Sequence, residues 1–503
     1  MTHSSPRPGA ALLCLLVVVA SCRRAAPPPG IDAIDGAVLR AHVFALAHDS
    51  MRGRAPADAG FARSLRYAES ALGQAGLLPF YDDEPFYRQA VPLVRVDLEQ
   101  GATLRLRDAE SETTMVAGNG FELLYPGRGD TKVAPGAPVF VGFGIHAPEL
   151  GWDDFAGLDL RGRIAMYIPG LPEPGQDPAM PDAVRALFAD RYEADRHTIG
   201  ELIRRGAAGV LVIPDAVLLE SWDSVLRARP TLLPAESYGL EVLANLPVPG
   251  LLAHPSLVDR LVTRRGYDPF ARQGAYQTLV LETVEVALEL QVRRQPAGSA
   301  NLLALIPGSD PEHRHEYVVL GAHLDHLGMR AGVVYNGAND DASGSAAVLE
   351  IARALALHPP ARSVIIALFT AKEVGRYGSL HFVEHPVVPL HRIVADVQLD
   401  RLGRVAEGGT CDVQGPPSFE NLVRRANRMI ADPNSRFVRT VGGEALRNGD
   451  HYSFHLRGVP WLLLDCGWFP DQHQPTDDAD RLDYSLLERN TRMAYALVRL
   501  LAG

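Results

Sequence analysis

The sequence predicts an α/β protein with a mixed, largely parallel sheet, helices on both faces, and an inserted β-rich domain. Three observations lead there. From residue 300 onward, apolar runs of strand length alternate with helical patterns, as in a sheet covered on both sides. Between about residues 91 and 291 the texture changes to short β-rich runs split by Pro and Gly. The composition, 47% hydrophobic and 22% charged over 503 residues, is that of a globular chain too long for one core. It excludes wholesale disorder, a fibrous architecture and a polytopic membrane protein. A net charge of −11 argues against nucleic acid as a partner.

Taken in order, the chain opens with Arg7, an apolar segment at residues 11–20, and Val19-Ala20-Ser21-Cys22. This reads as an export signal over residues 1–21. The last four residues resemble a bacterial lipobox, which implies a lipid on Cys22 and an exported cell-envelope lipoprotein, periplasmic or anchored to the outer membrane. The alternative is an ordinary signal peptide and a secreted protein. Any membrane contact is expected through that lipid alone. Residues 22–30 are a Pro-rich tether. Helical spacing covers 32–47 and 59–72 within an N-terminal part at 31–90. In the insert, 91–291, strands are expected at 139–143 and 164–168, with a helix at 198–206 feeding a strand at 209–213. The last part, 292–503, offers buried strands at 302–306, 317–321, 364–369, 394–399 and 460–464, with a helix at 345–357. Beyond Cys22 only Cys411 and Cys466 remain, so no disulfide framework is expected, and whether these two pair is left open.

Groups able to bind metal fall at or just past the ends of these strands. His323, Asp325 and His326 follow one strand, and Asp340 and Asp341 start the next helix. Glu373, Asp400 and His473 follow three others. Open α/β sheets bind ligands at the carboxyl ends of their strands. Each residue alone has an ordinary structural explanation, such as a capping Asp. Their shared place does not: carboxylates gathered together repel unless a cation neutralises them, and imidazole with carboxylate is what zinc takes.

The motifs resemble those of the co-catalytic dinuclear-zinc peptidases, the family of bacterial zinc aminopeptidases and glutamate carboxypeptidase. The segments carrying the resemblance are Leu46-Ala47-His48-Asp49-Ser50-Met51-Arg52-Gly53-Arg54, Gly321-Ala322-His323-Leu324-Asp325-His326-Leu327-Gly328, and Asn336-Gly337-Ala338-Asn339-Asp340-Asp341-Ala342-Ser343-Gly344. Further along come Leu399-Asp400-Arg401-Leu402-Gly403-Arg404, Gly449-Asp450-His451, and Gln472-His473-Gln474-Pro475-Thr476-Asp477-Asp478. The resemblance implies two zinc ions. His323 and Asp400 would hold one, Glu373 and His473 the other, with Asp340 bridging and Asp325 orienting His323. It implies a zinc-dependent exopeptidase, an aminopeptidase, acting on peptides. Residues 139–145 and 153–164 look like a protease-associated domain, the insert found in peptidases of this type.

Besides a mild exchange at Asp341, where Asn is common, two positions depart from the family. Its acidic pair after the strand ending at Phe369 is here Lys372-Glu373, so Lys372 stands where the family has its general base. Three readings stay open. Lys372 shuttles the proton itself, another group such as Asp341 or a second water does so, or the site binds metal without efficient turnover. In that third case the protein is a catalytically impaired relative with a binding or structural role at the cell envelope. Gln472 likewise stands where Tyr is common. Trp468 and Phe469 are candidates for lining a substrate pocket. Lys occurs only at 132 and 372, so its appearance here is not routine cation usage.

Overall fold

The computed structural model describes residues 27–81, 87–172, 180–215, 232–235, 246–270, 273–274, 277–405, 410–430, 436–439, 447 and 449–503. The expected export signal and Cys22 lie outside the described residues. Helix α1 (Gly36–Leu46) starts at Asp35, whose carboxylate accepts from the Ala37 amide, and α2 (Ala59–Gln74) follows. Strand β1 (Arg88–Arg107) then enters the insert. Helix α3 (Arg191–Arg204) lies within it, and β2 (Glu285–Ile306) returns from it. The remaining chain alternates β3 (Tyr317–His323), α4 (Ser343–Leu357), β4 (Ser363–Phe369), α5 (Tyr377–Glu384), β5 (Ile393–Asp400), β6 (Asp412–Gly415), β7 (Trp461–Asp465) and α6 (Tyr484–Ala502).

The sheet that carries the strand-end residues runs β2–β4–β3–β5–β7–β6. β4, β3, β5 and β7 are mutually parallel, while β2 and β6 flank them antiparallel. Its parallel strands are buried on both faces, and their side chains alternate between two cores. Val318, Leu320, Ala322, Val364, Ile366 and Leu368 pack under α1, α2, α4 and α6. Val319, Ile365, Ala367 and Phe369 face Phe382 and Val383 of α5 and Phe454. The expected fold class is therefore the observed one. Cys411 and Cys466 form a disulfide beside β6 and β7, settling the pairing the sequence left open.

The insert differs from the short runs expected at its edges. β1 and β2 are 20 and 22 residues long and pair antiparallel from Glu285↔Arg107 to Leu302↔Arg88. The positions 91 and 291 thus fall inside one continuous ribbon, not in linkers. Pro92, Pro296 and Gly298 interrupt the apolar pattern without interrupting the pairing, and the register shift between Leu290 and Val292 absorbs a bulge. The insert has its own cores, built in part from parallel strands Ile164–Tyr167, Gly209–Val212 and Gly250–Ala253. Helix α3 begins seven residues before the expected 198, because Asp190 caps it by accepting from the Tyr192 and Glu193 amides. Its polar first turn hides that start from an apolar pattern. α3 also ties the insert to the sheet: Arg447 reaches Asp190 at 2.6 Å and lies 4.7 Å over the Tyr192 ring.

Candidate metal centre

The carboxyl edge of the sheet delivers the centre. His323 ends β3, Asp400 ends β5, Glu373 follows β4, Asp340 lies at the entry to α4, and His473 lies in the loop after β7. All five expected ligands converge. Asp340 spans the cluster, with Oδ1 3.2 Å from His323 Nε2 and Oδ2 3.2 Å from His473 Nε2. His473 Nε2 is also 3.2 Å from Glu373 Oε2, and His323 Nε2 is 3.7 Å from Asp400 Oδ1. Ligand atoms of His323, Asp340 and Glu373 lie within 4.8 Å of one another, as do those of His323, Asp341 and Asp400.

The donor set fits divalent metal. His323 Nε2, His473 Nε2, Asp340 Oδ2 and Asp400 Oδ1 are buried atoms without hydrogen-bond partners. Orphaned buried groups of this kind are costly unless something else satisfies them. An ion between two imidazoles and three carboxylates does so. Burial and Lys372 push the His323 imidazole down, but Asp340, Asp400 and Asp341 outweigh them and hold it well above its ordinary value. For His473, burial also opposes the charge, yet Glu373 and Asp340 carry it to about 10. Burial raises the Asp340 and Glu373 carboxyls, and Lys372 above all drives both well below the usual range.

Asp325 meets the His323 ring through its backbone rather than through the side chain expected to orient it. His323 Nδ1 lies 3.0 Å from the Asp325 backbone carbonyl and 3.8 Å from its carboxylate. The carboxylate accepts instead from the backbone amides of Lys372 and Glu373, at 3.1 and 3.2 Å, and so fixes the loop that presents both. Burial lifts it to about 7.

Lys372 sits inside the cluster. Its Nζ lies 3.3 Å from Glu373 Oε1, 3.5 Å from Asp340 Oδ1 and 3.7 Å from Asp400 Oδ2. Burial disfavours its charge, but Asp340, Asp400 and Glu373 prevail and hold the ammonium well above its ordinary value. Burial alone would have lowered it; the three carboxylates reverse the sign. Asp341 Oδ1 accepts from the Gly344 and Arg401 amides, and burial holds its carboxyl well above the usual range. With Oδ1 so engaged, only Oδ2, buried and without a hydrogen-bond partner, is left to accept a proton.

Several supporting residues were visible in the motifs without their roles. Arg54, fully buried, donates to the carbonyls of Leu46, Leu324, Asn336 and Gly337, at 2.6–2.8 Å, and so clamps two ligand-bearing loops. Asp477 accepts from the Asn339 and Asp340 amides. Arg401 makes two hydrogen bonds to Asp465, at 3.0 and 2.5 Å, while its Nε lies 3.6 Å from Asp400. Gly337, at φ +58°, leaves no room for a Cβ, which would meet Asp340 O and His326 Cγ at 2.4 Å. His326, fully buried, has two ring nitrogens without hydrogen bonds, and its Nδ1 lies 3.7 Å from Glu373 Oε1. Asp450 takes the Ser379 hydroxyl at 2.5 Å, and His451 packs on Trp461. Of the two aromatic pocket candidates, Phe469 is buried beneath Arg404, whereas Trp468 is 66% exposed.

Residues 301–498 match the model of Peptidase family M28. Among curated relatives, "Aminopeptidase NAALADL1" of Mus musculus is 32% identical over 158 residues, covering 30% of this chain and 20% of that protein. A "Probable zinc metalloprotease" of Pyrenophora teres f. teres is 30% identical over 204 residues, covering 33% of this chain and 41% of the relative. The chain thus spans between a fifth and about two fifths of these two relatives. Among solved structures, "Aminopeptidase from Aneurinibacillus sp. strain AM-1" superposes with TM-score 0.59 at 18% identity, covering 93% of this chain and 94% of that one. The zinc aminopeptidase BSAP of Bacillus subtilis follows at TM-score 0.53 and 18% identity, covering 92% and 95%. These likenesses establish the fold.

Proposed function

With residues 301–498 matching the model of Peptidase family M28, we propose that the protein is a zinc-dependent exopeptidase, an aminopeptidase that removes N-terminal residues from peptides. One observation carries this reading: each oxygen of Asp340 faces a different imidazole, so one carboxylate would serve two ion positions. His323 and Asp400 would complete one position, Glu373 and His473 the other. Bound there, zinc supplies Lewis acidity toward a peptide carbonyl and lowers the pKa of a water. The chain's own residues do the rest. Asp325 fixes the loop of Lys372 and Glu373, Arg54 and Asp477 hold the Asp340 loop, and Lys372 presents a charged donor beside the ligands. Gln472, half-buried next to His473, offers an amide donor where the family often has a hydroxyl.

The export reading is supported by Val19-Ala20-Ser21-Cys22 and by the Cys411–Cys466 disulfide, which belongs to an oxidising compartment. A lipid on Cys22 would then tether the protein to the cell envelope. The insert is read as a protease-associated domain shaping access to the centre, since α3 reaches the sheet domain through Asp190 and Arg447.

Zinc-loaded protein incubated with a peptide library, followed by mass spectrometry, tests the activity. Loss of single N-terminal residues, with N-acetylated peptides spared, is expected. Intact peptides throughout would remove the exopeptidase reading. A second reading, a metal-binding relative that does not turn over, is favoured by Lys372 in the place of the base. Under it, Lys372→Glu raises the rate by about 10²–10⁴, whereas a working Lys372 makes the same change deleterious.

A further inference from the structure

The two halves of the centre differ in what already faces them. Lys372 Nζ contacts Asp340 Oδ1, Asp400 Oδ2 and Glu373 Oε1, while His473 faces Asp340 Oδ2 and Glu373 Oε2. The ammonium and His473 therefore use opposite oxygens of the same two carboxylates. An ammonium has three donors, and here three carboxylates surround it. Arg401 adds a second fixed cation 3.6 Å from Asp400. The Lys372 side chain is only 10% exposed, so solvent screens these contacts weakly.

Charge counting points the same way. Asp340, Glu373 and Asp400 bring −3 and Lys372 brings +1. One divalent ion makes the cluster neutral, whereas two leave it at +2 before any anion enters. A buried group of charges is tolerated when its sum is matched.

On the reading of the site as a metal centre, we propose that Lys372 is a tethered cation filling the His323/Asp400 half. The protein then binds one divalent ion tightly through Asp340, Glu373 and His473. A second ion enters only by displacing the ammonium. Three protein ligands with an open position suit a catalytic rather than a closed structural ion.

Chelator-stripped protein titrated with zinc, by calorimetry and elemental analysis, tests this without reference to turnover. Wild type is expected to take one tight ion per chain, with a second at least about 100-fold weaker. Lys372→Gln and Lys372→Met are expected to take two ions within about tenfold of each other. Equal tight binding of two ions by wild type, or one-ion stoichiometry in both variants, overturns the proposal. Should those variants fail to fold, the lysine-containing protein still decides. Glu373→Gln should weaken the first ion by about 100-fold or more, and Asp400→Asn by no more than about threefold. Comparable losses from the two changes overturn the proposal. Two equal ions with peptide hydrolysis intact would remove this inference alone. No tight ion in wild type or variants would remove the metal-centre reading with it.

Discussion

The His323/Asp400 half of the centre and the Glu373/His473 half are built from the same ligand chemistry but in different surroundings. The first is closed: His323 and Asp400 are 2% and 4% exposed, with Lys372 and the Arg401–Asp465 pair against them. The second is open, because His473 remains 39% exposed at the end of a loop. Ligand identity alone therefore does not make two positions equivalent. The fixed charges already beside each position set which one an added cation prefers.

The largest effect is expected at the closed side. Cys466 directly follows Asp465, so the disulfide backs the Arg401 wall across 55 residues of sequence. Replacing both cysteines by serine should cost about 4 kcal/mol of unfolding free energy by loop-closure entropy, measured by denaturant titration. Affinity for the first zinc should be retained, and its loss with the cysteines would mean that the two halves are not independent. A smaller effect is expected from Asp325→Asn, which keeps one carbonyl oxygen where Oδ1 and Oδ2 now accept separately from the Lys372 and Glu373 amides. Loosening that loop should weaken the first zinc by about 10–100-fold in a competition titration, and an unchanged affinity would sever Asp325 from the open half.

How much of this was legible in the sequence follows from range. β3, β4 and β5 were legible because strands buried on both faces read as unbroken apolar runs, and the five candidate ligands through the motifs that carry the family resemblance. The β1–β2 ribbon was not, since Pro92, Pro296 and Gly298 punctuate the sequence while pairing continues across them. Arg54 and Asp477 lie in quoted motifs, but their roles run through backbone groups of distant loops, from Arg54 to Leu324 across 270 positions, for example. No local pattern encodes such a contact. Lys372 was visible as an anomaly. Its direction of titration was not, because burial and the three carboxylates oppose each other and only their distances decide.

The smallest expected effect concerns pH. With its pKa near 10, His473 carries a proton at neutral pH in the metal-free protein and must release it to bind an ion. Zinc affinity at this half should therefore rise by about tenfold per pH unit per proton released as pH climbs toward 10. The sign reverses for the metal-free fold. There the raised pKa contributes stability that is fully present below the ordinary imidazole value of about 6.5 and lost as pH rises through about 10. Calorimetry in buffers of different ionisation enthalpy counts the released protons, and none released would contradict the shift.

The most direct test of the unequal halves is an anomalous difference map at the zinc edge, from crystals grown with one equivalent of zinc per chain. A single strong peak is expected among Asp340, Glu373 and His473, with the Lys372 ammonium still between Asp340 and Asp400. Two peaks of equal height, or one peak seated between His323 and Asp400, would contradict it.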